Sequence, residues 1–299
     1  MTDRTYEFIG AAFDKASHIP GCADAPDGLR KCGLMHRVKW LGKQGIAGID
    51  GGNVASPDGD AYPATVQFCE DLNLRLEQSY AQGHTPVVIG GDHSISMGSV
   101  SAAAAFLRKA KGPSARLGLI WVDAHPDLET PQSTSSGNLH GTAAAHLLGF
   151  GDDDLAGIGG FSPKVLPGDL VYIALRDTSL AERTLIRENG ITAFTMTDVV
   201  RHGIGNICEK ALKAMDAVDG FVVTFDMDAI DPAEAPAVQA PERGGLLFRE
   251  ARALMELVSA SPKLMSVEIV ELLPALDEGE MTQRAAISLI AAAIGRQIV

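Results

Sequence analysis

A chain of 299 residues with 46% hydrophobic side chains can bury the core of one large α/β domain or two small ones. Its formal charge of −13 argues against a nucleic-acid partner, which needs clustered Lys and Arg to meet phosphates. No stretch reaches the roughly 20 apolar residues of a membrane span, no signal-peptide core follows Met1-Thr2-Asp3-Arg4, and the four cysteines, Cys22, Cys32, Cys69 and Cys208, form no C-x-x-C pair, so isolated thiols in a reducing cytoplasm are expected.

Along the chain, Tyr6 to Ile9 reads as a first strand closing on Gly10, and residues 14–29 as a Pro- and Gly-bearing loop. Leu29 to Trp40 reads as a short helix, and residues 45–63 as a long connection around one short strand. Cys69, Leu72, Leu76 and Tyr80 share a face at helical spacing, which predicts a helix over Ala64 to Tyr80 stopped by Gly83. Pro86 to Ile89 is a buried strand running into Gly90-Gly91-Asp92-His93-Ser94, followed by a helix from Met97 to Lys109. The apolar run Leu117 to Val122 predicts a strand buried on both faces. It leads straight into Asp123-Ala124-His125-Pro126-Asp127. A polar loop over 128–142, a helix over about 142–148 and an exposed Gly- and Asp-rich stretch over 149–160 come next. Strands at Leu170–Leu175, Ile191–Thr195, Phe221–Phe225 and Leu264–Val270 then alternate with helices at 180–189, 206–217, 246–258 and 281–295.

This alternation predicts an α/β fold of three layers, a mostly parallel sheet with helices on both faces. With no repeat, linker or composition break, residues 1–299 read as a single domain. Open parallel sheets present ligands at the carboxyl ends of their strands, and nearly every unusual polar cluster here occupies such an end.

Period-two spacing puts Asp123, His125 and Asp127 on one side of an extended segment. Taken alone they are as readily a charged loop as a metal site. Two other strand ends add His93 and the pair Asp226 and Asp228, making four carboxylates and two imidazoles. One cation cannot use all six beside a substrate, whereas two divalent cations can, with Asp123 and Asp226 bridging. Oxygen and imidazole donors without thiolate favour Mn²⁺, with Fe²⁺, Co²⁺, Ni²⁺ or Zn²⁺ as substitutes. Two such ions roughly 3.5–4 Å apart acidify and orient a shared water, so hydrolysis is the expected chemistry. Asp92 reads as a supporting residue, and Asp231, before Pro232, as a turn or cap residue. Ser179 and Glu182 have capping-box spacing, so Ser179 either caps helix 180–189 or faces a ligand.

The runs Gly90-Gly91-Asp92-His93-Ser94, Asp123-Ala124-His125-Pro126-Asp127, Ser136-Gly137-Asn138-Leu139-His140-Gly141 and Phe225-Asp226-Met227-Asp228-Ala229-Ile230-Asp231-Pro232 resemble the ureohydrolase family, which includes arginase and agmatinase. The likeness runs from Ile9-Gly10 to the final helix, and the Ser-Gly-Asn-Leu-His-Gly run is similar to arginases more than agmatinases. The resemblance implies an arginase-like fold and two Mn²⁺ per chain. His93, Asp123, Asp127 and Asp226 would hold one ion, and Asp123, His125, Asp226 and Asp228 the other. It implies that Asp127 orients the attacking hydroxide and helps move its proton, that His140 shuttles protons to solvent, and that Glu271 binds the guanidinium. Thr134, Ser136 and Asn138 match contacts to a substrate carboxylate, and Asp177 matches an acidic residue near its amine. Three positions depart from the arginase pattern: Ser179 replaces a second acidic residue, Glu129 an Asn, and Ala240 a Thr. The implied reaction cleaves a guanidino substrate to urea and an amine, L-arginine to L-ornithine first, with 4-guanidinobutyrate or agmatine as alternatives. A homo-oligomer, trimer or hexamer, is expected. Two further classes are weighed against this: a single-Zn²⁺ deacetylase of similar fold, opposed by the complete two-metal donor set, and a non-enzymatic metal-binding protein, opposed by the intact shuttle and guanidinium carboxylate.

Overall fold

The computed structural model describes residues 4–295; Met1-Thr2-Asp3, read above for a leader, and residues 296–299 lie outside the described residues. The eight strands are β1 (Thr5–Ala11), β2 (Ala47–Val54), β3 (His84–Ile89), β4 (Leu117–Val122), β5 (Val165–Leu175), β6 (Thr192–Thr195), β7 (Gly220–Asp226) and β8 (Leu264–Val270). They form one sheet in the order β2-β1-β3-β8-β7-β4-β5-β6, and every pairing is parallel. The sheet therefore has the all-parallel form of the expected arginase-like α/β/α architecture.

Alternating side chains feed two separate cores. Phe8, Ile120, Val122, Val223, Phe225 and Ile269 face α1 (Ala25–Lys31), α2 (Leu34–Gly42), α8 (Met196–His202), α9 (Ile204–Ala214), α10 (Phe248–Ser259) and α11 (Met281–Ala293). Ile9, Val88, Leu119, Trp121, Val222 and Val270 face α3 (Ala61–Ala81), α4 (Ser96–Lys111), α5 (Ala143–Leu147), α6 (Asp153–Ala156) and α7 (Leu180–Glu188). Burial on both faces explains why the central strands read as continuous apolar runs rather than an alternating pattern. No helix of the described residues is long and apolar enough to cross a membrane.

Three local expectations differ from the structure. The helix expected over Leu29 to Trp40 is two, α1 and α2, because Gly33 turns left-handed at φ 103° and restarts the chain. The stretch 149–160 is not simply exposed: Asp152 caps α6 through Leu155 N, and Leu155, Ala156 and Ile158 are buried. Helix α8 was hidden in a segment expected to connect a strand to helix 206–217; Thr195 and Asp198 form its capping box and Gly203 ends it.

The sheet order positions the site. β3 and β4 follow one another in sequence, yet β8 and β7 lie between them. Such a reversal opens a crevice at the carboxyl ends of the strands. At its floor, Gly91 N–H donates to Ala11 O and Asp92 N–H to Phe13 O, both at 2.9 Å. A Cβ on Gly91 would stand 1.8 Å from Phe13 O. Gly91→Ala should therefore push the His93 loop off β1 and destabilise the fold by about 2 kcal/mol or more, read as a shift of the urea unfolding midpoint.

Candidate metal centre and active-site cavity

Four adjacent strands, β3, β8, β7 and β4, deliver the charged residues. Their ladders continue past the strand ends: Gly90 N–H donates to Ile269 O (2.7 Å), Glu271 N–H to Gly91 O (2.9 Å) and Asp123 N–H to Ile173 O (3.0 Å). Residues at and beside these strand ends are conformationally unusual. Asp127 (φ 47°), Ala174 (φ 81°) and Glu271 (φ 65°) all adopt the left-handed region without being glycine, a strain that surrounding contacts must hold in place.

Two donor sets meet at Asp123. In one, His93, Asp123 and Asp127 bring ligand atoms within 4.8 Å of one another; in the other, Asp123, His125 and Asp228 do so. His93 Nδ1 lies 3.0 Å from Asp123 Oδ2, 3.1 Å from Asp127 Oδ2 and 3.2 Å from Asp226 Oδ2. His125 Nδ1 lies 3.0 Å from Asp228 Oδ2 and 3.5 Å from Asp123 Oδ1. The six residues expected from sequence are thus in one place.

The donors are aimed. His93 Nε2 bonds Thr224 Oγ1 at 2.8 Å, while the buried Nδ1 makes no hydrogen bond. The His93 ring stacks on Trp121, centroids 4.1 Å apart, and Trp121 Nε1–H donates to Asp123 Oδ2 at 2.9 Å. Ala124 N–H donates to Asp228 Oδ1 at 3.1 Å. A free imidazole nitrogen among convergent carboxylate oxygens is the donor set of a divalent cation, and the residues fit one.

The protonation equilibria agree. Burial, then the neighbouring Asp228 and Asp123 charges, push the Asp226 carboxyl well above its usual range. Asp228 is pushed up to about 6 by burial and Asp123, and Asp127 is raised by the same two causes. Burial also opposes ionisation of Asp123, yet the His125 and His93 imidazoles beside it hold it below the carboxylate range. Burial would lower the His125 pKa, but Asp123 and Asp228 raise it to about 12. Without a cation, protons must take the place of positive charge in this cluster.

Glu271 and His140 sit beside it. Glu271 Oε1 accepts from His93 N–H at 2.6 Å and pairs with His140 Nδ1 at 2.9 Å. The buried Cys22 thiol donates to Oε2 at 3.6 Å. Asp92 Oδ2 accepts from Ala16 N–H (2.9 Å) and Oδ1 from Ser94 N–H (3.1 Å), so it fastens the His93 turn to the loop before α1 rather than joining the donors. Asp231 accepts backbone bonds from Ala233, Gly244 and Gly245, a turn role.

A cavity of about 350 Å³ opens above the cluster, lined by His125, Asp127, Glu129, His140, Asp177, Ser179, Glu182, Ala240 and Glu271 among others. Ser179 does cap α7: its Oγ accepts from Glu182 N–H at 3.2 Å while Glu182 Oε2 accepts from Ser179 N–H at 2.8 Å, and it also borders the cavity. Asp177 points its Oδ2 at His125 Nε2, 3.6 Å away, so its carboxylate faces a cluster histidine as well as the cavity. Thr134, Ser136 and Asn138 are not part of this lining. They bond within their own loop, Thr134 Oγ1 accepting from Gly137 N–H and Ser136 Oγ from Asn138 N–H, each at 3.2 Å.

Several participants were missed from sequence. Thr224 precedes Asp226 by two residues, so strand period placed it on the same face and could have revealed it. Trp121 stands in the same relation to Asp123. Cys22 had no local signal, because a loop brings it to Glu271 from 249 residues away.

The arginase-family profile matches residues 4–295. The arginase of Bacillus caldovelox is 33% identical, over 97% of this chain and 98% of that protein. The arginase of Emericella nidulans is 39% identical over 76% of this chain and 71% of its own length. Among solved structures, the arginase of Bacillus subtilis superposes with a TM-score of 0.92 at 31% identity, covering 99% of this chain and 100% of that one. With the profile running from end to end of the described residues and the whole sheet superposing, the chain belongs to the arginase family.

Proposed function

We propose that the chain hydrolyses L-arginine to L-ornithine and urea with two Mn²⁺ ions. The observation that carries this reading is the pair of donor sets sharing Asp123 beneath a cavity that Glu271 and His140 border. His93, Asp123, Asp127 and Asp226 would hold one ion, and Asp123, His125, Asp226 and Asp228 the other. Bound there, the ions supply an acidified, oriented water and a Lewis acid.

The chain's own residues do the rest. Glu271 offers a carboxylate to the substrate guanidinium, a charge-assisted bond that fixes the reacting carbon over the cluster. Asp127, at the cavity floor, is placed to carry a proton toward the leaving amine. His140 engages Glu271 through Nδ1, which leaves Nε2 for exchange with solvent, and its side chain is 18% exposed.

No described residue lining the cavity is Lys or Arg. The Arg176 guanidinium, beside the cluster, is taken up by backbone carbonyls, at 2.5 Å on Asp228 O and 2.7 Å on Glu242 O. At the outer end Glu129 is held by a hydroxyl bond from Ser133. This charge pattern favours a substrate tail bearing an ammonium and favours agmatine as the second substrate over 4-guanidinobutyrate, whose only distal group is a carboxylate.

Urea release measured across the three compounds with added Mn²⁺ should rank arginine first and 4-guanidinobutyrate last, and Asp123→Ala should abolish it. Turnover of agmatine without any of arginine would reject the arginine assignment and keep the reaction. Glu129→Gln should lower kcat/KM for arginine and agmatine by about threefold to tenfold and raise it for 4-guanidinobutyrate. His140→Asn should slow kcat by about 100-fold with metal content unchanged; loss of metal would make His140 a ligand. Burial alone would lower the His140 pKa, but Glu271, then Asp127 and Asp92, raise it to about 9. In the metal-free protein the ring therefore keeps its proton at neutral pH and loses it as pH rises through about 9. In metal-free protein, Glu271→Gln should bring that titration down by about one unit or more, followed by histidine NMR; an unmoved pKa would remove Glu271 as its partner.

A further inference from the structure

Glu268 is a buried carboxylate with no part in the chemistry above. It lies on β8, 4% exposed, and among the described residues its side-chain partners are hydroxyls rather than cations. Register pairs Glu268 with Thr224 on β7, so both face the α4 side of the sheet. The first turn of α4 places Ser96 and Ser99 above them. Ser96 donates to Glu268 Oε1 and Ser99 to Oε2. Ser96 Oγ is 3.5 Å from Thr224 Oγ1, which is 2.8 Å from His93 Nε2.

Proton counting gives this row a direction. The single Ser96 hydroxyl proton is taken up by Glu268 Oε1. Toward Thr224 Oγ1, 3.5 Å away, Ser96 Oγ then offers only lone pairs, and a Thr224 hydroxyl turned to meet them offers its own lone pairs to His93 Nε2–H at 2.8 Å. That arrangement favours the imidazole proton on Nε2 and leaves Nδ1 facing Asp123, Asp127 and Asp226. We infer that Glu268, acting through Ser96 and Thr224, is a positioning residue that fixes the tautomer of His93 for cation binding. This rests on the reading of His93 as a metal ligand. A glutamine at 268 could donate to Ser96 and reverse the row, driving the imidazole proton to Nδ1 and closing the lone pair.

The test is Mn²⁺ titration of the full chain, stripped of metal and refilled against a chelator, alongside the Tm of the metal-free protein. Glu268→Gln and Ser96→Ala should each weaken Mn²⁺ binding by about 10- to 100-fold. Because they break one row, the double variant should lose no more than the worse single. A lowered metal-free Tm with unchanged Mn²⁺ affinity would make Glu268 a purely structural group and overturn the inference, as would additive losses. If Glu268→Gln does not fold, the affinity of Ser96→Ala decides alone. His93→Ala separates the two readings: unchanged Mn²⁺ affinity there removes His93 from the ligands, whereas loss there with full affinity in Ser96→Ala removes only the relay.

Discussion

Asp123, Asp127, Asp226 and Asp228 share one buried volume, none of them more than 8% exposed. Burial and like charge both raise the cost of ionising them, and the pKa of Asp226, Asp228 and Asp127 all move upward in response. Only a concentrated positive charge lets all four ionise together. The two imidazoles supply part of it as cations, but then neither has a lone pair to give. The fold therefore holds an electrostatic demand that is met either by protons or by metal, and the choice between them sets whether His93 and His125 are charged partners or neutral ligands. The peripheral contacts favour ligation at His93: Thr224 takes up Nε2, and Nδ1 is left without a hydrogen bond.

Parallel strands make that demand affordable. Each strand end enters from the same side of the sheet, so four neighbouring strands place their side chains within one crevice while their apolar bodies stay in two cores. The turns that follow carry the unfavourable dihedrals at Asp127 and Glu271, and an irregularity near the end of β5 carries that of Ala174. Close backbone approach fastens them, most tightly at Gly91 against Phe13. The loop over 130–138 above instead bonds chiefly to itself.

What was legible in the sequence follows this division. Strand identity and the six cluster residues were readable because apolar runs and period-two spacing are local signals, and a strand end followed by Asp-x-His-x-Asp states its own geometry. The α1/α2 break was missed because Gly33 was read as an interior residue of one helix. Helix α8 was missed because seven residues carry too little periodicity, although its Thr195–Asp198 capping box was present in the letters. Cys22 and Glu268 were invisible for a different reason. Their roles depend on which distant element lies across from them, and a lone thiol or a strand glutamate carries no signal of that.

Substrate choice belongs to the less legible part, and Asp177 illustrates why. As a residue in a family position it reads as an amine contact; in the folded chain its carboxylate also addresses His125 Nε2 at 3.6 Å. At that separation the two are neighbours rather than hydrogen-bond partners, and Asp177 stays exposed at the mouth. Glu129 is in turn fixed by Ser133, in the same short turn where Thr130 N–H meets Ser133 Oγ at 2.8 Å. The acidic partner at this mouth is thus set by a local turn of the loop rather than by a strand end. A change in that turn therefore moves Glu129 without touching any residue that converges on Asp123.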